Sequence, residues 1–514
     1  VSIIFFKTLY SFSILGLSVF GLQALTLTAL FLIHRRRSVP ALPPPGAWPT
    51  VIVQLPVYNE RHVVERLIDA AGALDYPVDR LTIQVLDDST DETTARARAR
   101  VAYYRARGRN IQLKHRDKRA GFKAGALVEG LETAPGEFIA VFDADFAPPP
   151  DFLKRLIPYF FAYPKAGMVQ ARWGHLNPDQ SALTHAQALA LDGHFVIEQT
   201  TRFRSGLLFS FNGSGGIWRR ACIESVGGWQ ADTLVEDLDL SYRAQMNGWQ
   251  LLYAPEVIVP AEVPPHLAAF KQQQFRWARG SVQALRKLLG ALWTRPLTWP
   301  QRIGGTIHLS SYLAYVLLML VLFSSTPLIL MRQNLPPWLG TIALVGFAPP
   351  LMYAVSQWAA YRDWPKRLIY LPALFYLGIG VALNNAWAVV GAFLNLPLEF
   401  ARTPKFGQAV QLDSEYVLRI DWTVWGEMIL AIYTWMLAGL AAERAPGYMP
   451  LLIQLALGFS YVGGLGLWQA SQVRPRSVIP EPELAGTSAP KLSQSNLSLD
   501  SVLVNADDAE RKVF

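Results

Sequence analysis

The chain has 514 residues, more than one ordinary domain needs, and 51% of them are hydrophobic, with a mean hydropathy of +0.20. That apolar weight argues against a wholly soluble protein, and the net charge of +8, unaccompanied by any nucleic-acid-binding motif, reads as the basic face of a membrane protein rather than as a nucleic-acid surface. One cysteine, Cys222, excludes a disulfide framework, and eight scattered histidines without an HxxxH pair argue against a His/Cys zinc site.

Residues 9–33 carry no charge and are long enough to cross a bilayer, and Arg35, Arg36 and Arg37 follow. A signal peptide carries its positive charge before the apolar run, so residues 1–37 are expected to be a retained transmembrane helix ending in the cytosol. Residues 45–262 change character. Short β-branched runs at 50–55, 81–86, 111–114 and 138–142 alternate with amphipathic segments at 62–74, 91–107 and 121–133. The alternation predicts an α/β domain with a mixed, mostly parallel sheet covered by helices. Ligands then bind at the carboxyl ends of the strands.

Residues 263–300 are basic and amphipathic, as in helices lying on the cytosolic membrane surface. Within 301–471, apolar runs follow at 307–331, 339–361, 368–394, 423–442 and 451–470. If each crossed once, the loop carrying Arg402, Lys405 and Arg419 would leave the cytosol, against the positive-inside rule. The run 368–394 also holds Pro372, Asn384 and Asn385, so it is expected to be bent, re-entrant or interfacial rather than a simple span. The tail 472–514, rich in Pro, Ser, Asp and Glu, is expected to be disordered.

Four features stand out in chain order: residues 54–60 at the end of the first strand, 86–90, 142–145 and 235–237. Asp87 and Asp88 end the second strand, and Asp143-Ala144-Asp145 ends the fourth. Carboxylates at a strand tip suit a hard cation, Mg²⁺ or Mn²⁺, which would neutralise a departing diphosphate. An isolated Asp-x-Asp is a weak signal; the acidic pair upstream strengthens it. Asp237, beside Glu236, suits a general base that takes a proton from an acceptor hydroxyl, although both residues also suit a helix N-terminus. Lys123 opens a helix, where it fits either beside a phosphate or in solvent. Asn212 and Gly213 lie in a glycine cluster without dinucleotide spacing, which lets the backbone approach a sugar closely. Gln273, Arg276 and Trp277 offer a phosphate partner and an aromatic platform, or a membrane anchor.

In this order these residues resemble the D, DxD, (T)ED, QxxRW signature of family 2 glycosyltransferases of the cellulose-synthase-like type. Over residues 45–410 the chain looks closest to bacterial relatives of the plant A and C groups, which make mannan, glucomannan or glucan backbones. The resemblance implies a GT-A fold and a nucleotide-sugar donor, UDP-glucose or GDP-mannose. Asp87 and Asp88 would contact the nucleoside, Asp143 and Asp145 the diphosphate and metal, and Gln273, Arg276 and Trp277 the diphosphate and acceptor. Asp237 would be the base. Residues 400–407 resemble a gating loop, with Thr403 and Lys405 on the substrate. Val235 stands where the family has Thr, Arg402 where the loop has Val, and Phe406 separates Lys405 from Gly407. The implied activity is a metal-dependent, inverting hexosyltransferase in the inner membrane, with its catalytic domain cytosolic. It would extend a polysaccharide and pass it across the bilayer. A glycolipid synthase using ceramide or diacylglycerol shares these motifs, whereas a non-catalytic transporter would leave the acidic clusters unexplained.

Overall fold

The computed structural model describes residues 2–35, 42, 44–397 and 421–472. Seven strands form one sheet: β1 (Val51–Val57), β2 (Leu81–Asp87), β3 (Ile111–His115), β4 (Phe138–Val141), β5 (Ala166–His175), β6 (Gly216–Arg219) and β7 (Gln250–Ala261). Their order is β3-β2-β1-β4-β6-β5-β7. Only β6 runs antiparallel, to both β4 and β5. This is the mixed, mostly parallel GT-A sheet expected.

Strands β1 and β4 are buried along nearly their whole length, which is why they read as continuous apolar runs rather than alternating ones. Strands β5 to β7 have no such signal. Strand β6 has four residues, and β7 holds Pro255 and Pro260, which argue against an interior strand. The register between β5 and β7 slips where Ala171 faces Ala254 but Arg172 faces Ile258, so Pro255 sits in the irregularity.

Among the described residues, five helices are long and apolar enough to cross a membrane: Ile3–His34, Leu313–Leu330, Pro337–Ala360, Trp422–Arg444 and Pro446–Ser471. The run at 368–394 is not a straight sixth. Its two parts, Trp364–Gly380 and Ala382–Phe393, bend by 40°. Tyr370 at its start stacks on His185 of the sheet domain at 4.0 Å, and Asn395 just past its end accepts a hydrogen bond from Arg286 at 2.7 Å. One end of the bent run therefore meets the sheet domain and the other meets Arg286 of the helix Leu267–Thr294.

In place of several interfacial helices, residues Leu267–Thr294 form one helix of 28 residues. Ala278 and Val282 pack on Ala388, Val389 and Ala392 of the bent run. Arg286 donates to the carbonyl of Ala392 at 2.7 Å, satisfying an orphan group at a helix end. This long helix is thus fixed between the sheet domain and the membrane helices.

Candidate active site

A cavity of about 780 Å³ opens at the carboxyl ends of β1, β2 and β4. Asp88, Lys123, Asp143, Asp145, Asn212, Gly213, Glu236, Asp237, Gln273, Arg276 and Trp277 all line it. Six separate stretches of sequence thus meet in one space. Thr403 and Lys405 lie outside the described residues.

Asp87 departs from expectation. It does not line the cavity and is fully buried. Its Oδ1 accepts from the Ser89 amide at 3.0 Å, and its Oδ2 accepts from the Thr94 hydroxyl at 2.6 Å and pairs with His115 Nδ1 at 2.9 Å. A carboxylate so occupied shapes the turn rather than touching a ligand. Asp88 does face the cavity, clamped by Arg116 through Nε at 2.7 Å and Nη2 at 2.6 Å. Arg119 lies over the Tyr58 ring at 3.6 Å, forming a flat wall beside it. Arg116 was not singled out from the sequence, whereas Tyr58 lies in the stretch 54–60 and Arg119 opens the stretch 119–126 around Lys123.

Lys123 is the centre of the acidic group. Its Nζ lies 2.6 Å from Asp143 Oδ1 and 3.8 Å from Glu236 Oε1, and donates to the Gly213 carbonyl at 2.8 Å. Burial opposes its charge, but Asp143, Glu236 and Asp237 outweigh that and hold it above the ordinary lysine value. Asp237 opens the helix Glu236–Met246. Burial, with Glu236 next in effect, pushes its carboxyl up to about 7, although Lys123 and the Leu238 amide act in the other direction.

Glycine is required at 213. Its φ is +84°, and an added Cβ would lie 2.8 Å from Asp237 Oδ2. Gly213→Ala is therefore expected to lower turnover at least about tenfold by displacing the carboxylate, a cost of roughly 1.4 kcal/mol in the barrier. Steady-state rates at unchanged thermal stability would show it. Val235 is a packing residue: a Cβ on Gly280 would meet its Cγ1 at 2.5 Å, so the long helix sits directly on it.

Asp143 and Asp145 present hard oxygen donors to the cavity, and no group of three or more Asp, Glu, His or Cys able to hold an ion occurs among the described residues. That donor set fits a Mg²⁺-like ion completed by substrate phosphates rather than by a protein cage.

The sheet defines a GT-A glycosyltransferase domain. Residues 49–280 match the family model "Glycosyltransferase like family 2", so the chain carries a domain of that family. Over 246 residues it is 44% identical to glucomannan 4-beta-mannosyltransferase 2 of Arabidopsis thaliana, covering 47% of this chain and 46% of that one. It is 34% identical over 338 residues to probable glucomannan 4-beta-mannosyltransferase 10 of the same plant, covering 62% and 60%. The chain thus spans about half the length of the curated relatives it matches. Among solved structures, the mannosyltransferase PcManGT from Pyrobaculum calidifontis, in complex with GDP-Man and Mn²⁺, aligns over 74% of this chain and 100% of its own at 20% identity and a TM-score of 0.48.

Proposed function

We propose that the protein is an inverting β-hexosyltransferase that extends a mannan- or glucan-type polysaccharide from a nucleotide-sugar and passes it into the membrane. The observation that carries this reading is the continuity of the cavity. The wall that holds Asp143 and Asp237 runs on to Phe20 and Leu27 of the N-terminal helix and to Tyr312 and Tyr353 among the membrane helices. Aromatic side chains suit the faces of sugar rings, and a carbohydrate acceptor fits that path. The relatives' names favour a mannosyl donor, GDP-mannose, with UDP-glucose second.

Asp237 takes the acceptor hydroxyl's proton as that oxygen attacks the anomeric carbon, and the nucleoside diphosphate departs from the opposite face. Asp143 and Asp145 would hold Mg²⁺ or Mn²⁺, whose charge stabilises the leaving diphosphate. Lys123 keeps Asp143 and the Gly213 peptide in place, Arg276 pairs with phosphate, and Trp277 carries the acceptor's terminal sugar. Asp88, backed by Arg116, meets the nucleoside. The sheet domain lies in the cytosol, where nucleotide-sugars are made, and the membrane is the inner one.

A carboxylate base works only when ionised. With its carboxyl raised to about 7, kcat/KM is expected to rise with pH through about 7 and to fall tenfold per unit well below it. Glu236 raises that value, so Glu236→Gln is expected to move the acid limb to lower pH. Initial rates between about pH 5 and 9 check both statements.

The test of the activity is direct. Membranes containing the protein are given labelled GDP-mannose or UDP-glucose. Long chains cleaved by β-mannanase or β-glucanase are expected. Label appearing only in the organic phase, and only with added lipid acceptor, would replace this reading with a glycolipid synthase.

A further inference from the structure

The helix leaving β5 is interrupted by a π-helical turn, Gly193–Gln199, before Thr200–Arg204 resumes the α-helix. Such turns are rare and concentrate at functional sites. Here it aims two side chains, His194 and Glu198, at the cavity. Gly193 permits the close approach of the membrane layer: an added Cβ would lie 2.5 Å from the Tyr353 ring.

The polarity of the hydrogen bonds that follow is fixed from one end. The Ser210 carbonyl can only accept, and Gln199 Nε2 donates to it at 2.7 Å. The same nitrogen reaches Asn212 Oδ1, which fixes the Asn212 amide with its Nδ2 toward His194 Nε2 at 3.0 Å. His194 Nε2 must then be the bare acceptor, and Nδ1 carries the hydrogen, donated to Glu198 Oε2 at 3.0 Å. The other carboxylate oxygen of Glu198 accepts from Arg202 Nε at 2.8 Å. Burial works against a charge on Glu198, yet Arg202 and His194 hold its carboxyl well below the ordinary value, so it stays an acceptor on both sides.

The chain ends on Asn212, next to the peptide that Lys123 grips. The Asn212 amide donates to Gln170 Oε1 at 3.1 Å, and the Phe211 amide donates to Ser241 Oγ at 2.9 Å. Ser241 Oγ donates in turn to the Asp237 carbonyl at 2.6 Å. The loop is thus tied to the base's own helix on one side and to the π-helical turn on the other.

We propose that His194 and Glu198 are positioning residues for sugar transfer, holding Asn212 so that the Gly213 peptide orients Lys123 and sits against Asp237. This rests on Asp237 being the base. Neither residue exchanges a proton with substrate; each acts through Asn212.

The sharp test is Glu198→Gln. It keeps the size of the side chain but offers a single carbonyl oxygen to two donors, so either His194 or Arg202 loses its acceptor. His194→Phe removes the acceptor for Asn212 altogether. Both are expected to lower kcat at least about tenfold while the donor and acceptor KM stay within about twofold. His194→Gln, which can restore an acceptor toward Asn212, is expected to recover part of the loss. A raised acceptor KM with normal kcat would overturn the proposal and make His194 and Glu198 an acceptor subsite. Wild-type kinetics in both variants would overturn it outright. A loss of kcat that merely tracks a lowered thermal midpoint, with no recovery in His194→Gln, would also overturn it. Asp237→Asn, assayed in parallel, separates the failures. If that variant is inactive while the His194 and Glu198 variants are normal, only this inference falls; if it is active, the reading of the base falls first.

Discussion

Asp237→Asn is expected to lower kcat by about 10²–10⁴-fold while leaving the fold and nucleotide binding in place. The amide keeps the shape and can still accept from the Leu238 amide, which lies 2.8 Å from Asp237 Oδ1. It cannot take a proton. The substitution also removes one of the three carboxylates that face Lys123, leaving Asp143 and Glu236 to balance the ammonium. Little structural disturbance is therefore expected, and the loss falls on turnover rather than on donor KM. Nucleoside diphosphate binding by calorimetry, alongside single-turnover transfer, checks the two halves. Normal transfer by this variant would remove Asp237 from the chemistry.

The second large effect concerns assembly. Lys271 Nζ and Glu427 Oε1 lie 2.7 Å apart, with side-chain exposures of 4% and 0%. Lys271 is on the long helix that carries Gln273 and Trp277, and Glu427 is inside the apolar helix Trp422–Arg444. Asn384 of the bent run donates to the Lys271 carbonyl at 3.0 Å. Three elements of the membrane region thus close around one ion pair. Removing one partner strands the other charge in a dry site, at a cost of about 3–5 kcal/mol. Lys271→Met is expected to lower the thermal midpoint of the solubilised protein markedly. Lys271→Met combined with Glu427→Leu is expected to recover most of the loss, because no charge remains buried. If the single variant melts with wild type, the pair does not hold the long helix to the bundle.

Both effects depend on contacts whose legibility in the sequence differs. β1, β2 and β4 were readable because they are buried on both faces and so spell unbroken apolar runs, and the acids at their ends followed from that. Asp237 and Trp277 were readable as part of an ordered signature. Asp87 was misjudged because a pair of adjacent carboxylates does not tell which one turns inward; Ser89, Thr94 and His115 decide that, and they act through folding. β6 was masked by its brevity and β7 by Pro255 and Pro260. His194 and Glu198 gave no signal because they sit in a π-helical turn that no local pattern announces, and Lys271 read only as one charge of a basic amphipathic segment because its partner Glu427 lies far off in the chain. The bend between Gly380 and Ala382 was anticipated from Asn384, Asn385 and the charge of the loop, since polar groups in an apolar run need a protein partner.

The central claim is direct displacement on a nucleotide-linked sugar with Asp237 as base. It is tested most directly by linkage and anomeric analysis of the polymer made from GDP-mannose and from UDP-glucose offered separately. The account predicts β-linked hexose chains from one of the two donors, inverted relative to an α-linked nucleotide-sugar. An α-linked product from either donor would contradict it.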